Sequence, residues 1–335
     1  MKKRSMRCGL AVAVLLGASA PALADKSDDL SLLPVDAEVV GGLDFQQLQA
    51  STLFKNLVGP ALAKNDVQKS LAEFQAECGV DPMKVVTKIS FGIKMVNDKP
   101  DGVLVAHGVP KAKMIACYDK MSKKKQPDAD ITRDGDVLIV RPKNATTTSG
   151  KKCTQGKACG DSCISATEVC TKGGDEAVAF NFVDDSTLIV GFGSKGNKDG
   201  IKAVAKGTSA LKTSATFVQF FKKTNTSDTM WMIVNGSLKA LAPMAQLGIK
   251  PRAIYGSLNV TKDLNLDVKF NMKTAAEATN LSQLMNTQAK PAAGMVDKLT
   301  IAAIDTDVSI KLLLSDAKLK ALATQFGGML GGGKP

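Results

Sequence analysis

The chain has one histidine (His107), one tryptophan (Trp231) and two tyrosines (Tyr118 and Tyr255). After its opening residues it has no hydrophobic run approaching the ~20 residues that a membrane-crossing helix needs. Each scarcity excludes something. A single histidine rules out metal sites built from several imidazoles and leaves any Ser-His-Asp or Cys-His arrangement with one possible base. Aromatic residues are 4% of the chain, too few to interleave stacking rings with cations as single-strand nucleic-acid binders do. A redox C-x-x-C is missing, as is the Lys-Ser/Thr ending of a P-loop.

What is present begins with a leader. Lys2, Lys3, Arg4 and Arg7 precede the apolar run Leu10 to Leu16, and Ala22-Leu23-Ala24 supplies a small-x-small cleavage site before Asp25. This order of charge, apolar core and small residues marks residues 1–24 as a secretory signal. Cys8 lies ahead of the apolar run and not at the cut, so no lipid-anchor cysteine is expected. The sequence therefore predicts a soluble periplasmic or extracellular protein. Of the net charge of +12, the leader carries four cations, which leaves +8 on the mature chain. Lysine supplies most of it, spread along the chain as a solvated surface; nucleic acid is not an expected partner.

Along the mature chain, β-hairpins alternate with amphipathic helices. In Lys88–Met95, Ile89, Phe91, Ile93 and Met95 alternate with polar or small residues, the period of a strand with one buried face. Asp98 to Asp101 reads as a turn into a partner strand, Val103–Val109. Met114, Cys117, Tyr118 and Met121 then follow helical spacing. The order recurs at Ile254–Val260, Leu264–Asn271 and a helix near Lys273–Thr287. Two further hairpins, Ala177–Phe192 and Leu299–Leu314, each lead into a helix, near Lys198–Lys206 and from Asp316. Strands at Glu38–Asp44 and Met230–Val234 open the two units. The expected fold is α+β: two repeated β-α-ββ-α-ββ-α units, residues 25–212 and 213–328, with antiparallel sheets covered by helices on one side. A cysteine-rich insertion, residues 143–174, enlarges the first unit, and residues 329–335 form a glycine-rich tail.

Six cysteines follow the leader: Cys78, Cys117, Cys153, Cys159, Cys163 and Cys170. An even number in an exported chain predicts full pairing. Cys78 and Cys117 lie on core-facing helix stripes and are expected to bond to each other. The other four have the spacing C-x5-C-x3-C-x6-C and pair among themselves, with three connectivities open. That spacing lacks the paired C-x2-C knuckles of a zinc ribbon, so no metal is expected.

The segment Gly156-Lys157-Ala158-Cys159-Gly160-Asp161-Ser162-Cys163-Ile164, followed by Cys170, resembles a short cysteine motif of uncharacterised exported bacterial proteins. The resemblance implies a small disulfide knob without catalytic residues. The opening Leu33-Pro34-Val35-Asp36-Ala37 to Leu43-Asp44, then Ser51-Thr52-Leu53-Phe54, is similar to bacterial envelope proteins with duplicated α+β units.

Three remaining signals fall short of a site. Gly191-Phe192-Gly193-Ser194-Lys195-Gly196 matches G-x-G-x-x-G, but no acid follows about 20 residues on, and its strand belongs to a hairpin. His107 sits at a strand end in phase with Val103 and Val105. The acids Asp184-Asp185 and Asp305/Asp307 occupy turns, where their side chains hold local backbone. No catalytic residue, cofactor or metal ligand is assigned. The sequence thus points to an exported, non-enzymatic envelope protein that binds a partner protein, a polymer or a small apolar ligand, with the knob as a contact element. Alternatives are a hydrolase using carboxylates or His107, and a carrier whose apolar ligand fills an enclosed cavity lined by Met and Phe.

Overall fold

The computed structural model describes residues 29–55, 59, 65–123, 129–142, 154, 157–159, 162–165, 177–208, 210–292 and 294–321. The expected leader, the tail and most of the cysteine-rich insertion lie outside them. In chain order the elements are β1 (Val39–Asp44), α1 (Phe45–Ala50), α2 (Asn65–Cys78), α3 (Pro82–Val85), β2 (Lys88–Val96), β3 (Lys99–His107) and α4 (Lys111–Lys123). There follow β4 (Ala129–Asp134), β5 (Val137–Pro142), β6 (Lys157–Cys159), β7 (Ser162–Ile164), β8 (Val178–Phe182), β9 (Thr187–Phe192), α5 (Lys198–Ala205) and α6 (Ala215–Lys222). The rest comprises β10 (Met230–Asn235), α7 (Ala242–Gln246), β11 (Ala253–Asn259), β12 (Leu264–Asn271), α8 (Ala275–Ala289), β13 (Lys298–Ile304) and β14 (Asp307–Leu314).

Twelve strands form one antiparallel sheet in the order β13-β14-β12-β11-β10-β1-β2-β3-β9-β8-β5-β4, and β6 and β7 pair separately. The pairing of β1 with β10 places Gly41 opposite Met232 and Gly42 opposite Trp231, which makes one continuous sheet of what the sequence suggested as separate sheets. Read outward from this seam, the strands run β2, β3, β9, β8 on one side and β11, β12, β14, β13 on the other. The β4–β5 hairpin extends the first side and was not foreseen; Gly135, with φ of 63°, makes its turn.

Local chemistry sets the boundaries. The β2–β3 turn is tighter than expected, because Asn97 and Asp98 both adopt positive φ (50° and 60°), the backbone of a two-residue hairpin turn. The carboxylate of Asp44 accepts from the Gln47 N–H at the start of α1. At the start of α8, Thr274 accepts from the Glu277 N–H while the Glu277 carboxylate takes the Lys273 N–H, a reciprocal cap.

The expectation of helices on one side is corrected. Alternate residues of a strand face opposite ways, and both sets are packed in the first half. Val103 and Val105 of β3 join Ile189 of β9 and Ile201 of α5 in one cluster with Trp231 and Tyr255. Leu104 and Ala106 join Leu188, Met114 and Tyr118 in another, under α4 and α2. A third cluster places Ala278 and Leu281 of α8 on Val308 and Phe270, on the same face as the α4 layer. Among the described residues no helix is long and apolar enough to cross a membrane.

Candidate apolar binding face

The two faces of the sheet differ in kind. Pairing places Ile89, Leu43, Met230, Leu258, Leu266, Leu312 and Leu299 in one row across seven strands. The next row on that face holds Phe91, Gly41, Met232, Gly256, Val268, Ile310 and Ile301. Among the described strand residues on this face from β13 to β5, none is charged or carries an amide or hydroxyl. Helices α4 and α8 cover its two flanks. Between them, among the described residues, the face is open: Met230 and Met232, on a strand at the middle of the sheet, are 40% and 43% exposed. Their neighbours Leu43, Leu258, Leu266, Val268, Ile310 and Leu312 are half-buried. Exposed apolar side chains in contiguous rows mark a binding surface, unlike scattered ones. The backbone groups beneath are paired within the sheet, so an occupant meets only hydrocarbon and thioether.

At the seam, glycines thin the strand. A Cβ on Gly41 would lie 2.5 Å from Cζ of Phe91, and one on Gly42 would lie 2.6 Å from Cε2 of Trp231. Phe91 and Trp231 therefore lie flat on opposite faces of β1. Trp231 is buried and meets Phe221 edge-on at 5.3 Å.

The opposite face carries two buried polar clusters. In the first, Asp29 Oδ1 is 2.8 Å from His107 Nε2, and the Ser90 hydroxyl donates to Asp29 Oδ2 at 2.5 Å. Thr187 Oγ1 lies 3.3 Å from His107 Nδ1. A carboxylate only accepts, so Nε2 donates to Asp29, while Nδ1 is engaged by the Thr187 hydroxyl. This order does not make a nucleophile-base pair: Ser90 bonds to the carboxylate, and both imidazole nitrogens are engaged. The adjoining cavity is about 10 Å³, room for one water and no substrate.

In the second cluster, Asp307 accepts from the Tyr255 hydroxyl (2.7 Å), Asn271 Nδ2 (2.7 Å) and the Lys223 ammonium (3.1 Å). Burial raises the Asp307 pKa, but these three donors outweigh it and hold the carboxyl below the usual aspartate range. Burial, and then the bond to Asp307, push the Tyr255 phenol up. The Lys269 ammonium lies 5.6 Å from the Tyr255 ring centroid.

The residues singled out in the sequence fall as follows. Cys78 and Cys117 form a disulfide, Cα–Cα 4.7 Å, that fastens the end of α2 to α4. Cys159 lies in β6; Cys163 lies in β7 and is disulfide-bonded; Cys153 and Cys170 lie outside the described residues. The Gly191–Gly196 loop is consumed internally. Asp101 accepts from the backbone N–H and hydroxyl of Ser194, and Asn197 caps α5 through the Gly200 N–H. A phosphate there would meet a carboxylate instead of free donors. Asp184 accepts from the Ser186 and Thr187 N–H groups. Asp305 stays in its turn, whereas Asp307 enters the second cluster. Sequence reading missed Asp29, Ser90, Thr187, Tyr255, Asn271 and Lys223, whose grouping depends on contacts remote along the chain. It also missed Met230 and Met232, although their alternation with Trp231 and Ile233 was visible.

Among the described residues, an open hollow of about 550 Å³ lies along α2, lined by Val67, Ser70, Leu71, Phe74 and Pro82. A cleft of about 340 Å³ lies between Ser31–Asp36 and α5, with no Met or Phe in its lining. Where the halves meet under Phe217 and Phe220 the space is about 100 Å³, below the size of ordinary ligand pockets. Met230 and Met232 line an open face, whereas Met114 and Met272 are buried in core clusters.

No family model and no curated protein matches the chain. Among solved structures, crystal form III of TP0453 aligns over 88% of this chain and 97% of its own at 9% identity, with a TM-score of 0.47. Crystal form I of TP0453 aligns over 88% and 96% at 10% identity, with a TM-score of 0.45.

Proposed function

We propose that this is an exported, non-enzymatic binding protein whose occupant lies on the apolar face of the sheet. The observation that carries this reading is the pair of exposed methionines at the middle of rows that contain no polar side chain. Methionine is flexible and polarizable and adapts to irregular apolar shapes. An occupant recognised here is itself apolar, because a polar group laid on this face loses its water and gains no partner. Export is supported by the leader sequence and by the Cys78–Cys117 bond, which belongs to an oxidising compartment. The remaining cysteines of the knob pair with one another in this reading, and the knob is a contact element. The matching strand orders on either side of the seam support a duplicated β-α-ββ-α-ββ-α unit, with the β4–β5 hairpin and the knob added to the first copy. The hydrolase alternative is disfavoured by the enclosure of His107.

The test is native mass spectrometry of delipidated protein mixed with hexadecanol. A one-to-one adduct is expected for the wild type and is lost in Met230→Glu/Met232→Glu. Because both side chains are exposed, the variant's thermal midpoint should stay close to that of the wild type. An adduct that survives the double change, or none with the wild type, would defeat the reading.

A further inference from the structure

We infer that the apolar face takes a single-chain amphiphile with an anionic head, its chain along the rows through Met230 and Met232 and its head at Lys262. This rests on the binding reading above and adds the chemical class. Lys262 is exposed in the turn between β11 and β12. That turn closes the end of the face at which Leu258, Leu264 and Leu266 line the last rows. The acids nearby are engaged: Asp263 accepts the Asp316 N–H, Asp267 pairs with Lys269 and Lys311, and Asp228 accepts from the Ser257 hydroxyl and the Asn259 amide. Lys262 is thus a cation at the rim of an uncharged face, in a chain with 44 basic and 32 acidic residues. A chain on the face satisfies the hydrocarbon rows, and an anionic head at the rim stays in water while meeting this ammonium. From the β11–β12 turn the rows run through β10 and β1 to β2, four strand spacings of about 4.8 Å from β12 or roughly 19 Å, longer than one leaflet's chain at about half of a ~30 Å hydrocarbon core. The face is therefore long enough for an extended chain. An extended peptide is excluded as occupant because its backbone N–H and C=O groups would be buried without partners.

The experiment compares hexadecanoate with hexadecanol, which share a chain and differ in head charge, by competition against one fluorescent probe on the full mature chain. Wild type is expected to prefer the acid, by about two- to fivefold for a rim-exposed pair. Lys262→Glu should abolish or reverse the preference while leaving hexadecanol affinity unchanged. Met232→Glu should weaken both ligands by at least about tenfold, a cost of about 1.4 kcal/mol. An acid-to-alcohol ratio that does not respond to Lys262→Glu overturns the head assignment but leaves the face intact. Failure of wild type to bind either ligand overturns the underlying reading.

Discussion

Two buried polar clusters sit on the same face of the sheet, one in each half, at the junction of matching strands. The first joins the last residue of β3, His107, to the first residue of β9, Thr187. The second joins the last residue of β12, Asn271, to the first residue of β14, Asp307. In each, the segment ahead of that half's opening strand reaches in: Asp29 supplies a carboxylate to the imidazole, and Lys223 supplies an ammonium to the carboxylate. The sign of the charge is exchanged while the architecture is kept. Each cluster acts as a fastening that ties a leading segment to the sheet.

The largest test of this comparison is Asp307→Ala. It leaves the buried Tyr255 hydroxyl without its acceptor, while Asn271 Nδ2 keeps Thr306 Oγ1 and the half-exposed Lys223 ammonium turns to water; it should cost about 2–4 kcal/mol in denaturant unfolding. Asp29→Ala strips partners only from His107 and Ser90, beside a space that admits a water, so about 1–3 kcal/mol is expected. If the order of the two losses is reversed, the second cluster is not the tighter fastening.

The smallest effect is spectroscopic. Burial pushes Tyr118 up to about 12, and burial with the Asp307 bond raises Tyr255. Groups raised in the folded state contribute stability that is complete below the unfolded tyrosine value, near 10, and is lost as pH rises through the folded values. The native protein should therefore show no tyrosinate absorbance near pH 10, and Asp307→Ala should bring one of the two tyrosines down. For Asp307 the sign is opposite: its depressed pKa contributes stability above 3.8 that is lost as pH falls below it. Two tyrosines titrating normally in the folded wild type would remove the second cluster from the comparison.

The hairpins and helices were legible because period-two and period-3.6 patterns are local. Cys78 and Cys117 were legible as a pair because each continues an apolar stripe. The single sheet was not, since nothing local in Val39–Asp44 names Met230–Asn235 as its partner. Coverage of both faces did leave a trace. Val103-Leu104-Val105-Ala106 and Leu188-Ile189-Val190 are unbroken apolar runs, the pattern of strands packed on both sides. The clusters left little trace, because Asp29 and His107 are 78 residues apart.

The thinned strand at Gly41-Gly42 has an optical consequence. Phe91 on the outer surface and Trp231 on the inner one are plates separated by a single backbone thickness, and Trp231 sits beside Met232 in the chain. The molecule's sole indole is thereby a built-in lamp behind the open methionines: its emission will register loading of the far surface without any added dye.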